Sequence, residues 1–110
     1  MKLVSSLVRP DKVDAVRIAL RQLNVVAVAV VEARDHSPQQ HETTVWMGHE
    51  YSLGSSLKAE IRLVVHDDDV DAVVGAILRS ARTGKTGDGH VCVTTVDHRY
   101  NICTGQRDVS

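Results

Sequence analysis

The chain has 110 residues, 43% of them hydrophobic, which suits one domain with one core. Its formal net charge of -1 excludes a surface built to coat nucleic acid, because neutralising phosphates takes a concentrated basic patch. Aromatics are 3% of the chain and Phe is absent, which also excludes the stacking platforms of single-strand binders.

Residues 2–9 are rich in Leu and Val and predict a strand, and they lack the apolar run and cleavage site of a signal peptide. Pro10 presets the backbone for a helix entrance, and Asp11 offers a capping carboxylate. Val13, Val16, Leu20 and Leu23 recur at helical spacing, with Lys12, Asp14, Arg17 and Arg21 on other faces. Asn24 is a C-terminal stop. Val25 to Val31 reads as a buried strand. It is the longest apolar run and far shorter than the ~20 residues of a membrane span, so a cytoplasmic chain with no membrane insertion is expected.

Residues 35–56 are polar and aperiodic, and they close on Gly54-Ser55-Ser56. Loops of this length inside a small domain are usually functional or disordered. Trp46 and Tyr51 lie here. Aromatics on a polar loop suit a surface that docks a partner, although they can also pack back onto the domain.

Residues 58–65 alternate cleanly and predict a strand. Asp67 or Asp68 caps a second helix whose apolar face reads Val70, Val73, Val74, Ile77 and Ala81. A glycine-rich connection runs from Thr83 to Gly89. Val91 to Val96 and Tyr100 to Cys103 predict two short strands. An internal repeat orders these pieces: Asp11-Lys12-Val13-Asp14-Ala15-Val16 returns 57 positions later as Asp68-Asp69-Val70-Asp71-Ala72-Val73. Each copy lies between strands, giving βαβ twice. Right-handed crossovers turn two such units into a four-stranded antiparallel sheet with both helices on one face, an α+β ferredoxin-like fold. The other sheet face stays bare, and an oligomer is its simplest cover.

Gly84-Lys85-Thr86 is not a Walker A loop. Position 79, where that motif needs glycine, is Arg79, and a strand rather than a helix follows. A glycine-rich loop can still cradle phosphate with backbone N–H groups, or it can be a plain connection. Of the six histidines, His36, His41 and His49 share the long segment, but their irregular spacing favours surface residues over a metal site. Cys92 and Cys103 would face each other across a tight hairpin centred on Asp97-His98. No Ser/His/Asp or paired-carboxylate constellation is present, so no catalytic residue and no metal site is assigned.

These residues resemble the PII signal-transduction family, trimeric sensors of nitrogen, carbon and energy state. The resemblance covers essentially the whole chain. It rests on the opening Leu3-Val4-x-x-Leu7-Val8-Arg9-Pro10, on Gly48-His49-Glu50-Tyr51, on Lys58 with its alternating strand, on Ala81-Arg82-Thr83-Gly84-Lys85-Thr86-Gly87-Asp88-Gly89, and on Thr104-Gly105-Gln106-Arg107. It implies a single domain over 1–110, a partner-docking T-loop at about 35–56 and a phosphate-binding B-loop at about 82–90. Adenine nucleotide would sit in clefts between subunits of a homotrimer. Gly87, Asp88 and Gly89 match the phosphate cradle, with Val64, Lys85, His90, Asn101 and Cys103 completing the implied nucleotide set. Gln39 and Lys58 match positions tied to 2-oxoglutarate. Trp46, Met47 and His49 fall on the docking loop. Tyr51 matches the tyrosine that some members carry uridylylated, but its flank Ser52-Leu53-Gly54-Ser55-Ser56 disfavours recognition by a modifying enzyme. Glu60 and Arg62 stand in the opposite order to the charges of typical relatives, a double exchange that keeps complementarity between subunits.

The chain departs from the family where phosphate charge is met. His90 replaces a lysine, and Asn101 and Cys103 replace two arginines. A hydrogen bond to a charged group contributes roughly 1.5–3 kcal/mol. The resemblance with these changes implies a regulator, not an enzyme, that favours ADP or AMP over ATP and has no ordered triphosphate for Mg-dependent 2-oxoglutarate binding. Its target would be a membrane transporter or metabolic enzyme of nitrogen or inorganic-carbon metabolism. The carbon-linked members, including bicarbonate-responsive ones near carboxysomes, suit the altered ligand set. The alternative is a trimeric module that has lost nucleotide sensing and works through protein or metal contacts.

Overall fold

A computed structural model of the chain describes residues 1–25, 28–36, 44–46, 49–51 and 55–108. Strands β1 (Lys2–Val8), β2 (Ala29–His36), β5 (Ser55–Val65) and β6 (His90–Thr95) form one sheet, and β3 (Thr44–Trp46) pairs with β4 (His49–Tyr51) in a separate hairpin. The helices are α1 (Val13–Arg21) and α2 (Val70–Ala81). The sheet order is β2-β5-β1-β6 with every neighbouring pair antiparallel. Each βαβ unit therefore holds one strand of the other between its own two, which is the interleaving the internal repeat predicts.

Strand alternation sorts the sheet into two faces. Val4, Val8, Ile61, Leu63 and Val65 are buried against Val16 and Leu20 of α1 and Val73 and Ile77 of α2. Ser6 is fully buried within this face and donates to the Ile61 carbonyl at 3.4 Å. Burying a side chain such as Leu20, Ile61 or Ile77 contributes roughly 1.5–3 kcal/mol. Leu3, Ser5, Glu60 and Arg62 point the other way, and no helix covers them. Ser5 Oγ donates to Glu60 Oε1 at 3.0 Å, and Arg62 lies 3.5 Å from the same carboxylate.

The helix ends depart in part from the sequence reading. Pro10–Lys12 and Asp67–Asp69 are 3-10 turns leading into α1 and α2, and no side chain caps either entrance. Pro10 starts its turn one residue before Asp11, so that carboxylate sits inside the first turn rather than at the cap. There it favours the helix dipole. Asp67 instead accepts from the Met1 ammonium at 2.9 Å, which lowers its pKa below the usual carboxylate value. The predicted stop at Asn24 is a Schellman motif. Asn24 is left-handed at φ 62°, its N–H donates to the Arg21 carbonyl, and the Val25 N–H donates to Leu20.

That motif commits the Val25 amide to the helix end, so the second strand starts at Ala29 rather than Val25 and runs on to His36. The segment predicted as a loop over 35–56 is bounded by β2 and β5, which pair out to His36–Ser55, and it contains β3 and β4. The predicted strand at Tyr100–Cys103 is absent. Tyr100 makes a single bridge to Arg107, and the chain turns at 102–104. No hairpin joins Cys92 to Cys103, and both are free and exposed.

β6 enters the sheet through Gly89, at φ 99°, where an added Cβ would lie 1.8 Å from the Leu7 carbonyl oxygen. Gly84 has a similar φ of 84° but open space around it. Gly89→Ala should therefore destabilise the protein by roughly 3 kcal/mol, combining left-handed strain with backbone overlap. Gly84→Ala should cost about 1 kcal/mol, from strain alone. Urea unfolding of the two variants checks this. Equal losses would mean that β6 shifts freely away from β1.

Candidate functional site

The connection from α2 to β6 is organised by Asp88, whose carboxylate turns into its own loop. Oδ2 accepts from the Thr83 N–H at 3.0 Å and the Gly84 N–H at 2.9 Å. Oδ1 accepts from the Thr83 hydroxyl and, at 3.0 Å, from Arg9 Nε at the end of β1. A second Arg9 nitrogen, Nη2, donates to the Thr86 carbonyl at 3.0 Å. The Thr83 hydroxyl, followed by Arg9, holds the Asp88 carboxyl far below its ordinary range. With the folded-state pKa depressed, this contribution to loop order is present above the ordinary carboxylate range. It is lost as pH falls through the depressed value.

With Asp88 turned inward, the loop closes a turn between Lys85 and Asp88, while the N–H groups of Thr86 and Gly87 meet no protein acceptor among the described residues. Gly84, Gly87 and Gly89 all have positive φ, the backbone shape that lets successive amides converge on an anion. Lys85 and Arg82 are exposed beside them, while the charge of Arg9 is matched by Asp88. Next to the loop is a depression of about 110 Å³ whose lining includes Leu7, Ile77, Ala81, Gly89 and His90. An apolar floor beside a rim of amide donors suits a ligand with a flat apolar part and an anionic tail.

Of the other predicted residues, His90 lines that depression, where it opens β6 opposite Leu7. The rest fall elsewhere. Val64 borders a shallow hollow on that face with Leu3, Arg62 and Arg99. Lys58 is buried at 4% exposure. Asn101 and Cys103 lie in the turn after β6. There Asn101 Oδ1 accepts from the Cys103 and Thr104 N–H groups, so this side-chain oxygen holds the turn. The backbones of Trp46, His49 and Tyr51 lie on β3 and β4, with Trp46 opposite His49. Gln39 and Met47 lie outside the described residues. The described residues contain no group of three or more His, Cys, Asp and Glu placed to hold a metal ion. No described helix is long and apolar enough to cross a membrane.

Sequence reading missed the part played by Arg9. It lies 79 positions from Asp88, and no local pattern links the two. The only signal was indirect: an acidic residue between two glycines needs a reason to be there.

The model of the family described as nitrogen regulatory protein P-II matches residues 1–106. The nitrogen regulatory protein P-II of a Synechocystis species is 38% identical to this chain over 108 residues, covering 98% of this chain and 96% of its own. The nitrogen regulatory protein P-II 1 of Escherichia coli K12 and the nitrogen regulatory protein P-II of Microchaete diplosiphon are each 37% identical over the same shares. The match includes the interleaved βαβ units and the Asp88 loop, and the chain belongs to the P-II family of nitrogen regulatory proteins.

Proposed function

We propose that this chain is a non-enzymatic regulator that binds adenine nucleotide, with ADP or AMP favoured over ATP, and reports it through residues 35–56 to a transporter or enzyme. The observation that carries this reading is the glycine loop shaped by an inward Asp88, with the Thr86 and Gly87 N–H groups unpaired among the described residues. These amides suit phosphate. The charges that a triphosphate tail needs are missing, since positions 90, 101 and 103 hold His, Asn and Cys. The Asn101 side-chain oxygen is moreover committed to its own turn. Amide donors favour an anion by direction and are less dependent on its total charge, which suits the shorter phosphate chains.

A homotrimer completes the site in this reading. The uncovered sheet face exposes Val31, Arg62 and Cys92, and the C-terminal turn presents Ile102 at 99% and Tyr100 at 60% exposure. A second copy that covers the sheet with its C-terminal turn would bring Asn101 and Cys103 towards the loop. Target control in inorganic-carbon metabolism, with bicarbonate as an effector, follows from the same altered ligand set. Mg-dependent 2-oxoglutarate binding at Gln39 and Lys58 and modification of Tyr51 are not expected.

Light scattering should give three times the chain mass at micromolar concentration, and a monomer mass would overturn the shared cleft. Calorimetric titration at neutral pH should show AMP or ADP binding at least as tightly as ATP. ATP bound tenfold tighter than ADP would overturn the ligand assignment. His90→Lys, which leaves the Asn101 turn intact, should strengthen ATP by roughly 1.5–3 kcal/mol and AMP by less.

A further inference from the structure

The loop over 82–89 is fastened to the sheet by a side chain from outside it. Arg9 follows Val8, which is buried, and precedes Pro10, so its backbone is fixed on both sides. Its guanidinium donates to Thr86 O and to Asp88 Oδ1, each at 3.0 Å, and so straddles Gly87. The peptide between Thr86 and Gly87 is trans and planar, so its C=O and N–H point in opposite directions. Drawing the Thr86 carbonyl towards Arg9 therefore turns the Gly87 N–H away from Arg9.

We propose that Arg9 is a positioning residue for anion binding: it sets the direction of the Gly87 amide through Thr86 and the shape of the loop through Asp88, and does not touch the ligand. The proposal rests on the nucleotide reading above. The Arg9 charge is already met by the Asp88 carboxylate, and among the described residues its side chain donates to the loop. The fork of the guanidinium matters as much as its charge. One planar group reaches a carbonyl and a carboxylate at once, whereas an ammonium is a single point on a flexible stem.

The experiment compares Arg9→Lys, Asp88→Asn and the double variant with the unaltered protein. Calorimetry with AMP, ADP and ATP is combined with backbone amide NMR and hydrogen exchange. Positioning predicts that Arg9→Lys weakens all nucleotides that bind by a common factor of about ten, since the loss is in the shared cradle. Asp88→Asn should also weaken them, and the double variant should lose little more than either single one, as expected when two residues act through one arrangement. The Gly87 and Gly89 amide resonances should move in each variant while those of β1 and β5 stay in place.

A direct phosphate contact predicts the opposite pattern. ATP would lose more than AMP in Arg9→Lys, and Asp88→Asn would strengthen binding by freeing the guanidinium. Either result overturns the proposal. If the unaltered protein binds none of the three nucleotides, the nucleotide reading fails by itself. The positioning claim is then decided by the amides: movement confined to the loop in Arg9→Lys supports it, and unmoved Gly87 and Gly89 amides refute it.

Discussion

Asp88 gathers the two ends of its loop and one residue of β1 onto a single carboxylate, and the rest of the site depends on that convergence. Thr83 and Gly84 fix the entrance of the loop, and Arg9 ties it to the sheet. Immediately after Asp88, Gly89 lies so close to the Leu7 carbonyl that a Cβ does not fit. Electrostatics and sterics thus hold the same junction from two sides. The Arg9–Asp88 pair is partly exposed, and such pairs contribute little to stability. What it contributes is direction. It decides which backbone groups are used inside the loop.

The architecture was legible in the sequence because its signal is repeated. Two copies of one helix entrance, 57 residues apart, each between β-branched runs, leave few arrangements other than interleaved βαβ units. Asn24 was legible for a local reason, since only a few residue types sit comfortably at φ 62°. Both helix caps were misread. Asp11, Asp67 and Asp68 look like caps in one dimension, but 3-10 turns take up those positions and the Met1 ammonium claims Asp67. The start of β2 was misread because the Schellman motif consumes the first amide of an otherwise good strand sequence. At the C-terminal end, Tyr100–Cys103 has the composition of a strand but no continuous partner. The Asn101 side chain bonds the backbone two and three residues on, and a turn wins.

The site was legible as a string but not as a geometry. Gly84, Gly87 and Gly89 announce a loop that needs positive φ, and the structure has it. Reading Asp88 as part of a phosphate cradle obscured its chemistry, because a carboxylate facing phosphate would repel it. The structure turns the carboxylate into its own loop, towards Thr83, Gly84 and Arg9. Arg9 could not be identified from one sequence, since its partners are long-range and its neighbours Val8 and Pro10 explain themselves as a strand end and a turn.

The distribution of charge around the loop then has a simple consequence. Arg9 is balanced by Asp88, and Glu60 sits between Ser5 and Arg62, so those side chains face protein partners. On the loop itself the exposed cations are Arg82 and Lys85, both on its first half, whereas the unpaired amides lie on its second half. An anion seated on the amides meets directional donors first and mobile charge second. Long-range attraction falls off with salt, but amide donors held by rigid peptide planes do not. A site of this kind discriminates by the shape and length of what it holds.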